Sequence, residues 1–201
     1  AGAPATGVPV TARLEVALMG AALAVDFSVA AAATERIELC AAAGVPLLLG
    51  TTGLESGVSG VLTEAAQRIP VLVAANTSHG AAVLIDLVQH ATATLGAAFE
   101  ISIRDLHHRE KRDAPSGTAL ALGAAVQEGS GIPRQVEYTS VRGGDLVGEH
   151  EVLFLGEGES IRLSHEATDR SVFARGALRA GLWLVRQPPG GYQISDLFKE
   201  K

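Results

Sequence analysis

The chain has 201 residues, of which 47% are hydrophobic, 19% charged and only 4% aromatic. That balance excludes a disordered or low-complexity polymer and leaves room for one large or two small globular domains built mainly on Ala, Val, Leu and Ile. The net charge of −6 ranks a nucleic-acid binder low, and a single cysteine, Cys40, excludes a disulfide framework within the chain.

Gly7–Val10 reads as a short extended segment, after which Thr11 is expected to cap a helix through Ala21. Leu23–Ser28 is an apolar run of strand length. Residues 31–44 read as a helix stopped by Gly44, which takes the left-handed conformation without a steric cost. Val45–Gly53 is a second buried strand ending in Gly50, Thr51, Thr52 and Gly53, residues 56–69 are helical, and Pro70–Asn76 is a third buried strand. A helix over residues 79–97 follows. Alternating helices and continuous apolar strands predict a parallel sheet covered on both faces.

The pattern changes at Phe99. Phe99, Ile101 and Ile103 alternate with Glu100, Ser102 and Arg104, as in a sheet with one wet face. A helix over residues 119–129 is followed by strands over 135–144, 148–158 and 159–169, the last two joined by a turn around Gly156 and Gly158. A helix from Ser171 is expected to run to Gln187, before Pro188 and Pro189. The tail from Gly191 packs back on the body. The fold class is therefore α/β: a partial Rossmann-like parallel-sheet domain, then an α+β domain with a mixed sheet. The expected division is residues 1–78, 79–180, and a C-terminal segment 181–201 returning to the first domain.

The most charged stretch is His107–Leu120. His107, His108, Arg109, Lys111 and Arg112 precede Pro115, Ser116, Gly117 and Thr118, where a helix begins. Ser116 or Thr118 can cap that helix, and its unpaired N–H groups and dipole favour an anion. Gly117 lets a ligand approach the backbone closely. The chemistry suggested is recognition of a small di-anion, with His108 or Arg109 free for a second acidic group. His107 and Lys111 are the proton-transfer candidates, each with a pKa lowered by the crowding of cations. Gly50–Gly53 and Ala74–Ser78 end consecutive parallel strands at the same edge, where a nucleotide is expected. Asp26 reads as a turn residue. His79, His90, His150 and His165 lack partners at metal-ligand spacing, so no metal is expected. His150 and His165 lie on strands expected to pair. Cys40 reads as a small core residue.

The segment HHREKRDAPSGTA resembles the signature of the 4-hydroxy-tetrahydrodipicolinate (dihydrodipicolinate) reductase family, and VDFS, GTTG, AAN, GGDLVGEHEVLF, ESIRLSHEATDRSVFARGAL and GLWL fit in the same order. The resemblance runs from Gly7 onward. It implies hydride transfer from NADPH or NADH to a cyclic imine dicarboxylate in the diaminopimelate route of lysine biosynthesis. It further implies that His107 donates and accepts a proton and Lys111 donates one. His108, Ser116, Gly117 and Thr118 would bind the substrate. Gly50, Thr51, Thr52, Ala75, Asn76, Thr77 and Ser78 would contact the cofactor. The implied assembly is a homotetramer formed through the sheets of the second domain.

Departures from the family pattern are Thr77 in place of an aromatic residue, Ser102 and Asp105 in place of Glu, and Arg104 in place of an apolar residue. No G-x-G-x-x-G precedes the first strand. Relative to the family about sixty residues, the size of a strand–helix–strand unit, are absent. With Ala1 first and Met19 the only methionine, the chain is expected not to be the whole translated product. The alternative is a protein of this fold that binds no cofactor and binds, or acts by acid–base chemistry on, a small dicarboxylate. A non-enzymatic assembly module would have no need of the basic segment. No signal peptide and no uninterrupted apolar run of membrane length are read, so the expected setting is cytoplasmic, without nucleic-acid or membrane partners.

Overall fold

The computed structural model describes residues 7–198. The chain divides into two compact units, one running to Val73 and including Gly181–Tyr192, the other spanning Ala74–Ala180 and the residues from Gln193.

The first unit is a parallel sheet with helices. Strands β1 (Ala24–Asp26), β2 (Leu47–Leu49), β3 (Pro70–Val73) and β8 (Gly190–Tyr192) lie in that order, every neighbouring pair parallel. All three residues of β2 are buried, as a strand covered on both faces requires. Each such leucine contributes on the order of 2 kcal/mol of apolar burial. Helices α1 (Leu14–Leu18), α2 (Ala33–Ala43) and α3 (Val58–Ala66) belong to this unit, and Ile37, Cys40 and Ala65 join Leu47, Leu49 and Val71 in one core. Gly44 ends α2 at φ 68°, donating its N–H to the carbonyls of Ala41 and Cys40.

One expectation fails here, and another is met more tightly than expected. The helix from Thr11 is only the five residues of α1, with Arg13 at its N-cap position and no side-chain cap. The Thr11 hydroxyl accepts from Arg13 N–H at 3.1 Å, two residues on, and so makes a turn ahead of the helix. The tail from Gly191 is not merely packed on the body: Gly190–Tyr192 hydrogen-bonds to β3 as a strand, with the Tyr192 ring edge-on to Trp183 at 5.3 Å.

The second unit has a four-stranded mixed sheet, order β5-β4-β6-β7. Strand β4 (Glu100–His107) is parallel to β5 (Glu137–Arg142) and antiparallel to β6 (Gly148–Gly156), which pairs with β7 (Glu159–Ala167). Burial alternates along β4, with Ile101, Ile103, Asp105 and His107 on the inner face. Helices α4 (His79–Leu95) and α5 (Gly117–Ser130) pack there through Leu84, Val88, Leu122 and Val126. His79–Ala98 is long and apolar enough to cross a membrane, but Leu84 and Val88 are spent in this core. Helix α6 (Ser171–Leu184) ends three residues earlier than Gln187 and continues as a turn, with Gln187 N–H donated to the Leu184 carbonyl.

Candidate active site

Rows of register partners across the mixed sheet change chemistry toward the carboxyl end of β4. Tyr138, Ile103, Val152 and Leu163 form one row, mostly apolar. The next inner row is Ser140, Asp105, His150 and His165. His107 follows on β4, opposite Arg142 of β5. A hydrophobic sheet face thus ends in a polar one, and the start of α5 lies on it.

Asp105 is the hub. One carboxylate oxygen accepts from His107 Nδ1 at 3.0 Å and faces Arg142 Nη1 at 2.7 Å. The other accepts from the Ser140 hydroxyl at 2.6 Å and from Ser116 N–H at 3.4 Å. Asp105 is only 1% exposed. Burial alone pushes its pKa up, but the Ser140 hydroxyl and Arg142 outweigh burial and hold it below the ordinary carboxylate value. An ionised carboxylate only accepts, so His107 donates from Nδ1 and its Nε2 carries the lone pair.

His107 itself is buried, and burial, then the Lys111 ammonium, lower its pKa against the pull of Asp105. Gly148 makes room beside it: a Cβ there would stand 3.0 Å from His107 Nε2.

Ser116 caps α5, its hydroxyl accepting from Ala119 N–H at 3.2 Å and sharing a 3.1 Å hydrogen bond with His150 Nε2. His150 lies edge-on to His107, with ring centroids 5.1 Å apart. Burial, then the neighbouring His107, push its pKa down to about 4. Gly117 opens the helix, and Thr118, buried, accepts from Asn76 Nδ2 at 3.0 Å.

The loop between His107 and Ser116 is pinned at several points. Gly143 N–H donates to the His107 carbonyl, Arg109 N–H to that of Gly144, and Arg142 Nη2 to that of Asp113. Lys111 Nζ sits 2.8 and 2.9 Å from the two carboxylate oxygens of Asp113, which keeps its charge partnered but half-buried. His108 is half-buried. The Ala114–Pro115 peptide is cis.

The structure therefore brings His107, Ser116, Gly117, Thr118 and Asn76 into one bonded region, with Lys111 close enough to act on His107 electrostatically. Ala75 is exposed, while the Thr77 hydroxyl donates to the Phe173 carbonyl at 2.7 Å and Ser78 caps α4 against His165 Nε2 at 3.2 Å. In the first unit, Gly50 lies under the Phe27 ring, the Thr51 hydroxyl is engaged with Asp26, and Thr52 is exposed. Gly50, Thr51 and Thr52 follow β2 at its carboxyl end, where nucleotides bind in open parallel sheets. Sequence reasoning did not place Ser140, Arg142 or His150 in this site, although it set His150 and His165 on strands expected to pair, as they do. The alternation of β4 carries Asp105 and His107 onto the face of Ile101 and Ile103, but which residues of β5 and β6 meet them is set by strand register.

Comparison with known proteins decides the family. The model of the dihydrodipicolinate reductase N-terminus matches residues 1–77, and that of the C-terminus residues 80–198. The chain belongs to the dihydrodipicolinate reductase family. As a family member it is an oxidoreductase that uses a nicotinamide nucleotide. Proteins named 4-hydroxy-tetrahydrodipicolinate reductase are similar to it over nearly its whole length. The one from Anaeromyxobacter dehalogenans is 40% identical, covering 98% of this chain and 80% of its own. The one from Thiobacillus denitrificans is 41% identical, covering 96% and 79%. The one from Zymomonas mobilis is 44% identical over 86% of this chain and 75% of its own. A dipicolinate-bound dihydrodipicolinate reductase from Paenisporosarcina sp. TG-14 shares the fold, with a TM-score of 0.74 at 23% identity, covering 96% of this chain and 80% of that one.

Proposed function

We propose that this reductase converts 4-hydroxy-tetrahydrodipicolinate to tetrahydrodipicolinate in the diaminopimelate route of lysine biosynthesis, with His107 and Lys111 handling protons at the end of β4. One hydride and one proton are taken up and the 4-hydroxyl leaves as water. NADPH or NADH supplies the hydride when bound. Gly50, Thr51 and Thr52, at the carboxyl end of β2, are residues that would hold it.

The observation that carries this reading is the junction of two things on Asp105: the imidazole of His107 and the capped start of α5 at Ser116. A dicarboxylate held at Ser116–Gly117–Thr118 meets backbone N–H groups, a helix dipole and hydroxyls. His108 lies at the head of the same loop and takes part in that recognition. Lys111 adds an ammonium close to the same ligand. The neutral His107 presents Nε2 as a proton acceptor, and Lys111 Nζ is the donor. The dipicolinate in the solved relative is an anion of the required class.

A homotetramer fits the outward face of the mixed sheet, where Val141 and Leu155 are exposed and Arg104 and Arg162 bracket Glu151 at 2.9 Å each. Sedimentation equilibrium of the full chain tests that assembly. A cytoplasmic setting fits a biosynthetic enzyme whose one thiol is buried.

The test is a titration of the full chain with NADPH and NADH, with and without pyridine-2,6-dicarboxylate. The reading expects both classes of ligand to bind, and Lys111→Ala to weaken the dicarboxylate at least about tenfold, the loss of one charge-assisted contact. Dicarboxylate binding without either nucleotide would favour the non-redox alternative.

A further inference from the structure

We infer that Asp105 is the positioning residue of this centre: it fixes His107 in the Nδ1–H tautomer and so turns Nε2 toward the substrate. The inference rests on the reading of His107 as the proton-handling group.

Three observations carry it. Asp105 precedes His107 by two residues on a strand, so both side chains leave the same face. The carboxylate is itself held from three sides, by Ser140 of β5, Arg142 of β5 and the backbone N–H of Ser116 at the start of α5. An acceptor so held has one place left for His107, and the imidazole cannot rotate about its bond to Cβ without losing it. On the far side of the ring, Gly148 leaves Nε2 the space that a Cβ would crowd at 3.0 Å. Asp105 also joins proton chemistry to substrate grip, because the Ser116 it bonds is the cap of the carboxylate-facing helix. A carboxylate that merely balanced Arg142 would need only the guanidinium at 2.7 Å and would not have to meet the imidazole.

When His107 takes a proton, it does so at Nε2 while the Nδ1–H stays donated to Asp105. The imidazolium formed is then stabilised by the adjacent carboxylate, and Asp105 itself gains no proton. Lys111, Arg142 and His150 are the other charged or titratable groups that face the pair, and the first two oppose protonation of His107.

The experiment is nitrogen NMR of histidine-labelled full chain together with steady-state kinetics of three variants. The wild-type His107 signal is expected as the Nδ1–H tautomer; a predominant Nε2–H form would overturn the inference without any variant. Asp105→Asn, whose amide can donate, is expected to shift His107 toward Nε2–H and to lower kcat by about a hundredfold, with KM within about threefold. Asp105→Glu keeps an acceptor and is expected to recover at least about tenfold of that loss. A normal tautomer and near-normal kcat in Asp105→Asn would sink the idea. If that variant does not fold, the wild-type spectrum and Asp105→Glu decide: a Glu variant as slow as His107→Asn counts against it. If His107→Asn turns over normally, the proton role of His107 fails and this inference falls with it. If His107→Asn is slow while Asp105→Asn is not, only the inference fails.

Discussion

Acid should loosen the second unit before its carboxylates titrate, and His150 is the main reason. Its side chain is 3% exposed, and its pKa falls from the ordinary 6.5 to about 4, by burial first and by His107 second. A histidine with a depressed folded pKa binds protons more readily in the unfolded chain. Stability is therefore full above pH 6.5, is lost as pH falls from 6.5 toward 4, and loses nothing more from this group below that. At about 1.4 kcal/mol per pH unit, the whole loss is about 3 kcal/mol, with about 2 kcal/mol gone by pH 5. His107 and His165 are lowered too, both chiefly by burial, and act in the same direction as pH falls below 6.5. Urea unfolding followed by far-UV circular dichroism, at steps from pH 7.5 to 4.5, measures the slope in wild type and in His150→Gln (the pH range is of about three units around the window). The variant is expected to be less stable at pH 7 but to lose about 2 kcal/mol less between pH 7 and 5. Parallel curves for the two proteins would refute the reasoning, since His150 would then titrate alike folded and unfolded.

Other substitutions probe the geometry around this centre. Gly148→Ala places a methyl 3.0 Å from His107 Nε2 and should lower kcat by about tenfold with the fold intact by circular dichroism. Gly176→Ala would drive a Cβ onto the Thr77 carbonyl, so thermal unfolding should show a loss of about 1–3 kcal/mol and nucleotide titration a weaker complex. Ser116→Ala removes the acceptor of Ala119 N–H and the partner of His150; a loss of about 1–2 kcal/mol in urea is expected, with weaker dicarboxylate binding by calorimetry.

Much of the architecture was legible because it is periodic. The fully apolar Leu47–Leu49 could only be a strand covered twice, and the alternation from Phe99 could only be a sheet with one packed face. Gly44 and Ser116 declared the end of one helix and the start of another through conformational freedom and a hydroxyl. The Thr11 helix failed because a hydroxyl followed by an amide two residues on satisfies itself locally. Gly190–Tyr192 was hidden because two glycines carry no hydrophobic pattern; their strand exists through backbone bonds to β3. The basic segment was visible as charge, but its organiser was not. Ser140, Arg142 and His150 reach Asp105 or Ser116 from strands thirty-odd residues away, through a register that no local pattern encodes.

The most direct measurement is the loss of nicotinamide absorbance when the full chain is mixed with freshly generated 4-hydroxy-tetrahydrodipicolinate and NADPH or NADH, for wild type, His107→Asn and Lys111→Ala. The account predicts turnover with at least one nucleotide and a fall of about a hundredfold or more in each variant. Turnover that survives both substitutions would contradict the placing of the chemistry at the end of β4, and no turnover with a folded wild-type chain that binds the dicarboxylate would contradict the redox assignment itself.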